Sequence, residues 1–241
     1  MSYSFSTEVL WPKNQHRFSQ ICALPIINEL IDGTLSQKRF RNYIVQDNLY
    51  LDSLGMALTL AASKTSVSHP KGHCRARLLL SHVMYMLDTE VAMHDGILRS
   101  VGIESRAAVR EKFMPSPTCH HYMSFLIATA SQESLAVAIA AMLPCYWVYR
   151  EVVNWMVAES KKLMDANSNG VVQQHPYQAW FELHANDDYA KSVDDMLALA
   201  DELAREADKP TRAKMEATFE LGFRLEWMFW KTAYEMEEWD I

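Results

Sequence analysis

Three side chains with reactive or titratable groups occupy positions where a helical apolar stripe would normally carry leucine or isoleucine. Two are the carboxylates Asp47 and Glu226, and the third is the thiol of Cys145. Apolar residues recur around each of them at intervals of three and four, which is typical of the buried face of a helix. The apolar neighbours are Phe40, Tyr43, Ile44, Tyr50, Leu51 and Leu54 for Asp47; Leu135, Ala138, Ile139, Met142, Tyr149, Val152 and Val153 for Cys145; and Met215, Phe219, Gly222, Phe223, Phe229, Trp230 and Ala233 for Glu226. The spacing predicts that all three groups point inward.

Two inward carboxylates predict a polar pocket inside a helical protein, because a buried carboxylate is costly unless it is paired or hydrogen-bonded. A thiol beside such a pocket is a candidate nucleophile. Pro144 directly precedes Cys145 and has no N–H to bond the carbonyl of Ala140, so we expect a local distortion of the helix at the thiol. Tyr149 lies one turn further on the same face and is the nearest candidate in the sequence to donate a hydrogen bond to a thiolate.

Structural roles compete with these catalytic ones. A buried cysteine is usually a small hydrophobic residue, and an inward carboxylate more often belongs to an ion pair. The stripes of Asp47 and Glu226 contain no obvious arginine, however, which narrows the odds between the structural and the catalytic interpretation.

A metal site is a further alternative, because helical bundles often hold two irons with inward glutamates and histidines. Glu90 and His94 stand four residues apart and could form half of such a site. No histidine follows His184, however, so the last helix, which carries Glu226, offers none. We therefore predict no metal and interpret the Glu90 and His94 pair as a helix-surface or interhelical hydrogen bond.

Composition limits the class of protein. The chain has 241 residues, of which 49% are hydrophobic and 22% charged, and no shift in composition divides it, so we predict one domain over residues 1–241. Only 7 glycines and 8 prolines are present, which favours an all-α fold over a turn-rich β architecture. The net charge of -7 argues against nucleic acid as a partner.

Targeting signals are not evident in the sequence. Residues 1–12 contain no basic segment followed by an apolar run, and the longest uncharged stretch, 134–149, is shorter than the ~20 residues of a membrane span. We therefore expect a cytoplasmic protein that is not in the membrane. The four cysteines show no CxxC spacing, which predicts reduced thiols.

Helix-capping residues and prolines divide the chain into helices joined by short loops. We predict a first helical segment ending at Gly33, a helix from Ser36 to about Ser63, and a loop over 66–72. The next helices are predicted over about 73–100, from Ser105 to Phe113, and from a cap at Thr118. A long helix that carries Cys145 is predicted over about 133–164, with its end at 167–170. The last three helices are predicted from His175 to His184, from Asn186 to about Ala207, and from Pro210 onward.

Four segments resemble motifs of the TenA family, also called thiaminase II. They are 46–51 (QDNLYL), 143–149 (LPCYWVY), 175–180 (HPYQAW) and 226–234 (EWMFWKTAY), and the linking segments 32–35 (DGTL) and 115–118 (PSPT) are similar too. The motifs occur in the family's order and extend over almost the whole chain.

This resemblance implies a haem-oxygenase-like helical bundle, assembled as a homotetramer, that hydrolyses aminopyrimidines without a cofactor. It implies conversion of 4-amino-5-aminomethyl-2-methylpyrimidine to the 5-hydroxymethyl pyrimidine and ammonia in thiamine salvage, and in many members also cleavage of thiamine. Cys145 would add to the ring as a thiolate, Glu226 would exchange a proton with a ring nitrogen, and Asp47 would hold the amino side. The residues that the resemblance assigns to the pocket wall are Tyr50, Tyr122 and Tyr149.

One position departs from the family pattern. Where the family usually shows Trp-Ile-x-x-Tyr, residues 180–184 read WFELH, so the expected pocket tyrosine is His184. We expect His184 to bind the pyrimidine as a hydrogen-bond donor and to titrate near neutral pH. This change leaves open a different small heterocycle as the substrate. Two further alternatives are an oxidase like the pyrroloquinoline quinone synthesis protein C and a non-enzymatic regulator.

Overall fold

Helices form nearly all of the described chain in the computed structural model, which covers residues 4–66, 68–87, 91–167 and 175–240, and all side chains in these ranges except those of 91–93 and 166–167. A π-helical turn, Ser6–Leu10, leads into the first helix. The eleven α-helices of these ranges are α1 (Trp11–Cys22), α2 (Pro25–Ile31), α3 (Gln37–Ser63), α4 (Gly72–Tyr85), α5 (Val91–Ser100), α6 (Arg106–Lys112), α7 (Pro117–Gln132), α8 (Leu135–Asn167), α9 (Gln178–His184), α10 (Asp187–Glu206) and α11 (Lys209–Glu235). The prediction of an all-α fold is confirmed.

The long helix α8 lies at the centre of the bundle. It packs against α7, α10 and α11, while α3 packs against α4, α7 and α11. Residues 136–144 of α8 are buried without exception, which accounts for the uncharged stretch in the sequence. By length and composition the segment Leu135–Asp165 could cross a membrane, but 78% of its most apolar window is buried inside the protein. Such burial is the usual origin of an apolar helix in a protein core.

Capping residues set most helix starts where the sequence predicts them. The side chains of Ser36, Ser105 and Asn186 accept hydrogen bonds from backbone N–H groups three residues later, at 3.4, 3.3 and 2.8 Å. Gly33 and Gly102 have φ of +76° and +78°, a conformation in which glycine is free of the penalty that a Cβ brings.

Some predicted boundaries are wrong. The cap of α7 is Ser116 rather than Thr118, because the backbone N–H and hydroxyl of Thr118 both donate to the carboxylate of Glu237, at 2.8 and 3.0 Å. The short helix predicted from His175 begins at Gln178.

The helix predicted over 73–100 is found as two helices, α4 and α5, and residues 88–90 between them lie outside the described residues. The end of α8 is predicted at 167–170; its last described residue is Asn167, and 168–170 lie outside the described residues too.

Close contact between α8 and α11 occurs at Pro144. A Cβ at Gly222 would lie 2.9 Å from the Cγ of Pro144 and 3.3 Å from the carbonyl oxygen of Ala141. Only a residue without a side chain lets the two helices approach so closely. Because Cys145 follows Pro144 and Glu226 lies one turn after Gly222, this contact brings the two predicted site residues near each other.

Candidate active site

A cavity between α3, α7, α8, α9 and α11 collects all seven residues that the sequence analysis assigns to the site. Its empty volume is about 610 Å³, including its opening to solvent. Its walls are formed by Asp47, Tyr50, Leu51, Leu54, Met86, His94, Tyr122, Cys145, Tyr146, Tyr149, His184, Tyr189, Glu226 and Phe229. A few polar groups on a mostly aromatic wall are typical of a small-molecule site.

The thiol of Cys145 lies on the cavity wall and is only partly buried. Its Sγ donates to the carbonyl of Met142 at 2.9 Å, within the same helix. From α10, the hydroxyl of Tyr189 donates to the carbonyls of Cys145 and Tyr146, at 3.3 and 3.1 Å. These bonds tie α10 to the turn of α8 that carries the thiol.

The carboxyl group of Glu226 is buried, with 3% of the residue exposed. Its Oε1 accepts a hydrogen bond of 2.7 Å from the hydroxyl of Tyr122. Burial raises the pKa of Glu226 to about 7, and the bond from Tyr122 offsets only part of that effect. A carboxyl group with such a pKa can both give and take a proton near neutral pH.

Tyr50 presents an unsatisfied hydroxyl beside the thiol. Its ring centroid lies 4.7 Å from that of Tyr122. The buried hydroxyl has no hydrogen bond of good geometry within the described ranges. Burial raises the pKa of Tyr50 well above its usual value, and negative charge on the neighbouring Cys145 adds to this rise. Tyr50 therefore keeps its proton and can donate it to a ligand or to a thiolate.

Asp47 lines the same cavity and lies next to His94. Its Oδ2 is 3.9 Å from the Nδ1 of His94. The amide nitrogen of Asn48 lies 3.3 Å from the same Nδ1 and donates to the carbonyl of Ile44 at 2.8 Å. Because an amide nitrogen only donates, Nδ1 of His94 is the acceptor and its Nε2 carries the hydrogen.

His94 lines the cavity, although the sequence predicted for it a hydrogen bond with Glu90 rather than a place in the site. Burial lowers its pKa to about 3, with smaller contributions from the charges of His184 and Arg106, so the ring is neutral. Glu90, its predicted partner, lies outside the described residues. In the part of the chain that the structure describes, no three His, Cys, Asp or Glu residues are grouped so that they could hold a metal ion.

The hydroxyl of Tyr149 is hydrogen-bonded to Tyr43 and His184, and its assistance to Cys145 stays a prediction. Its hydroxyl lies 2.5 Å from that of Tyr43 and 3.4 Å from the Nε2 of His184. Burial raises the pKa of both tyrosines well above the usual value. The hydroxyl of Tyr50, in contrast, interacts with the Cys145 side chain.

His184 reaches the cavity as predicted, but its protonation differs from the expectation. Its Nδ1 lies 3.0 Å from the carbonyl oxygen of Trp180, one turn earlier in α9. Burial lowers the pKa of His184 to about 4, and the bond to Trp180 opposes this only in part. The expected titration near neutral pH is therefore wrong, because a charged imidazole would lose its hydration in the core.

Two cavity tyrosines, Tyr146 and Tyr189, were not singled out as site residues. Tyr146 follows Cys145 directly, and Tyr43, the hydrogen-bond partner of Tyr149, has a place in the Asp47 stripe. The hydroxyl of Tyr146 lies 3.2 Å from the Nδ1 of the buried His82. Tyr189 comes from α10, and nothing in its local sequence indicates that α10 packs beside the thiol.

The sequence of this chain is similar to those of known proteins. The sequence profile of the TENA/THI-4/PQQC family matches residues 14–236. An aminopyrimidine aminohydrolase of Bacillus subtilis is 30% identical over 216 residues, which cover 89% of this chain and 84% of that protein.

Solved structures show the same fold. The TenA homologue of P. horikoshii OT3 superposes with a TM-score of 0.77 at 23% identity, covering 95% of this chain and 98% of that one. A domain of Shewanella denitrificans, described as having a heme oxygenase-like fold, superposes with a TM-score of 0.71 at 14% identity, covering 93% and 90%. The haem-oxygenase-like bundle is thereby confirmed. The matched profile extends over far more than half of the sequence, so this chain belongs to the TENA/THI-4/PQQC family.

Proposed function

We propose that this protein hydrolyses aminopyrimidines in thiamine salvage, with 4-amino-5-aminomethyl-2-methylpyrimidine as its substrate and thiamine as a second candidate. The observation that carries the proposal is one cavity that combines the thiol of Cys145 with the carboxyl of Glu226, whose pKa burial raises to about 7. The name of the Bacillus subtilis relative, aminopyrimidine aminohydrolase, supports it independently.

The proposed reaction begins with addition of the Cys145 sulfur to a ring carbon of the pyrimidine. Glu226 protonates a ring nitrogen, which receives the displaced electron pair, so that negative charge does not accumulate on the ring. The exocyclic amine, protonated as an ammonium group, then leaves as ammonia while the ring electron pair forms a double bond to the methylene carbon. Water adds to that carbon and releases one proton to the solvent. Expulsion of the thiolate restores the aromatic ring while Glu226 takes its proton back. One water is consumed, and one ammonia is formed for each alcohol.

The remaining cavity residues hold the ring. Asp47 is proposed to accept hydrogen bonds from the amino side of the pyrimidine, and the flat walls formed by Tyr50 and Tyr122 suit an aromatic ring. The unpaired hydroxyl of Tyr50 next to Cys145 provides the hydrogen bond that a thiolate needs. The reaction calls for no cofactor.

The alternatives receive less support. The family name includes the pyrroloquinoline quinone proteins, but aminopyrimidine aminohydrolases account for relatives at 26–30% identity over most of this chain. A regulator would need no reactive thiol beside a proton donor. Hydrolysis of a different small heterocycle is the remaining alternative, because His184 stands where the family usually has a pocket tyrosine.

We propose that the protein works as a homotetramer in the cytoplasm. Exposed large apolar residues on α3, on α4 and just after α4 support burial of this surface by other copies of the chain: Met56, Leu80, Met84 and Leu87. Light scattering should give a mass of about four chains, and the mass of a monomer would contradict the proposal.

Replacing the thiol tests the function. Cys145→Ser should lower the rate of ammonia release from the aminomethyl pyrimidine by at least a hundredfold, because a hydroxyl is a much weaker nucleophile than a thiolate. Cys74→Ser, at an exposed thiol, is the matched control and should keep full activity. Circular dichroism and a titration with the hydroxymethyl pyrimidine should show that the Cys145 variant still folds and binds. A Cys145→Ser enzyme with more than about a tenth of the wild-type kcat would contradict covalent catalysis.

A further inference from the structure

The hydrogen-bonding state of His184 follows from its backbone partner. The carbonyl oxygen of Trp180, 3.0 Å from Nδ1, can only accept, so Nδ1 carries the ring hydrogen. In a neutral imidazole the other nitrogen, Nε2, then has a lone pair and can only accept. The low pKa of His184, about 4, keeps the ring in this neutral form at physiological pH.

Tyr149 must therefore direct its one hydroxyl hydrogen toward His184. With Tyr149 donating to Nε2 at 3.4 Å, the Tyr43 hydroxyl donates to Tyr149 at 2.5 Å, and every polar atom of the group is paired. In the opposite arrangement, both Nε2 of His184 and the hydrogen of Tyr43 would lack a partner among the described residues. Unpaired buried polar groups are costly, so the hydrogen bonds run from Tyr43 through Tyr149 to His184 and on to Trp180.

Tyr149 consequently has only a lone pair left to offer to the cavity that it lines. The carboxylate of Asp47 lies near enough for its charge to raise the pKa of both Tyr149 and Tyr43, and it too can only accept hydrogen bonds. Tyr149 and Asp47 together thus present acceptors. Their chemical complement is a ligand group with N–H donors, such as an exocyclic amine, and an oxo group in the same place would meet lone pairs on both.

We propose that His184 is a specificity-determining residue, which fixes Tyr149 as a hydrogen-bond acceptor and so selects amino-substituted over oxo-substituted pyrimidines. This inference rests on the proposed function and adds to it the basis of substrate choice. His184 acts through Tyr149, as a positioning residue, rather than as the direct donor to the ring that the sequence analysis predicted.

The variant His184→Asn separates the two hydrogen bonds of the imidazole. Asn14 and Asn48 both donate to the carbonyl four residues earlier, at 2.8 Å, so an asparagine at 184 can keep the bond to Trp180. Its side chain is too short to replace Nε2 as the acceptor for Tyr149, whose hydroxyl is then free to turn toward the ligand. His16→Asn, at an exposed helical position, is the matched control.

Calorimetric titration of each protein with 4-amino-5-hydroxymethyl-2-methylpyrimidine and with its 4-oxo counterpart tests the proposal. The wild type and His16→Asn should bind the amino compound about a hundredfold more tightly, and His184→Asn should reduce this preference to about tenfold or less. An unchanged preference in His184→Asn would overturn the role of His184 while leaving the proposed function intact. If neither pyrimidine binds the wild type, the proposed function and the specificity role fail together.

Nitrogen NMR of the ligand-free wild type provides a second test that needs neither a variant nor a substrate. With ¹⁵N-labelled histidine at pH 7, His184 should show a protonated Nδ1 and an unprotonated Nε2. The reverse tautomer would overturn the hydrogen-bond direction even if the amino compound binds tightly.

Discussion

Glu226→Gln should make the protein more stable at alkaline pH while it removes the activity. The wild-type carboxyl has a pKa of about 7 in the folded state and 4.5 as a free group. The folded state therefore binds this proton more tightly, and the stabilisation is complete below pH 4.5 and lost as the pH rises through about 7. Since one pKa unit is worth about 1.4 kcal/mol, ionised Glu226 lowers the free energy of unfolding by about 3 kcal/mol above pH 7. Glutamine removes this cost because it never ionises, and its carbonyl can still accept the hydrogen bond from Tyr122.

Urea unfolding followed by circular dichroism at pH 5 and pH 8, at one protein concentration, measures this effect. We expect Glu226→Gln to exceed the wild type by about 1–3 kcal/mol at pH 8 and by much less at pH 5, because the amide's own N–H groups offset part of the gain. Glu235→Gln, an exposed position at the end of the same helix, is the control and should change neither value. A variant that is no more stable than the wild type at pH 8 would refute the assignment of a strained, ionisable Glu226.

Asp47→Asn, Tyr50→Phe and Gly222→Ala have expected outcomes, and Gly96→Ala is the control for the last of them. Asp47→Asn should lower kcat/KM for the aminomethyl pyrimidine by about a hundredfold in a steady-state assay, because a charged hydrogen bond to the amino side is lost. Tyr50→Phe should lower kcat about tenfold or more without lowering the melting temperature, since the hydroxyl that it removes has no partner within the protein's described part. Gly222→Ala should cost about 1–3 kcal/mol in urea unfolding, because its Cβ would lie 2.9 Å from Pro144, whereas Gly96→Ala, with open space around the added Cβ, should gain up to about 1 kcal/mol.

Local patterns in the sequence predict much of the fold. Ser36, Ser105 and Asn186 cap the helices that they were expected to cap, because a capping bond joins groups only three residues apart. Thr118 was a plausible cap by the same rule, but Glu237 from the C-terminal segment occupies both of its donors. A contact between residues so distant along the chain leaves no trace in the local sequence. The prediction of one domain over 1–241 stays a prediction.

The candidate site was predicted to the extent that it depends on helical periodicity. Asp47 and Glu226 are buried, as their stripes indicate, and Cys145 lies with them in one cavity. Periodicity gives the face on which a side chain lies but not its hydrogen-bond partners. The pairing of Tyr149 with His184 depends on how α8 and α9 pack, and burial in that packing is why the expected titration of His184 is wrong.

The packing of α8 against α11 explains why Glu226 stays buried although its ionised form lowers the free energy of unfolding. Gly222 and Pro144 bring α11 and α8 together one turn before Glu226 and one residue before Cys145. A looser contact would admit water, which would lower the pKa of Glu226 toward 4.5 and relieve the cost. A carboxylate with that lower pKa would be ionised at neutral pH and would be a poor proton donor to a pyrimidine ring. The stability that Glu226 costs and the reactivity that it provides therefore have one origin, the close approach of these two helices.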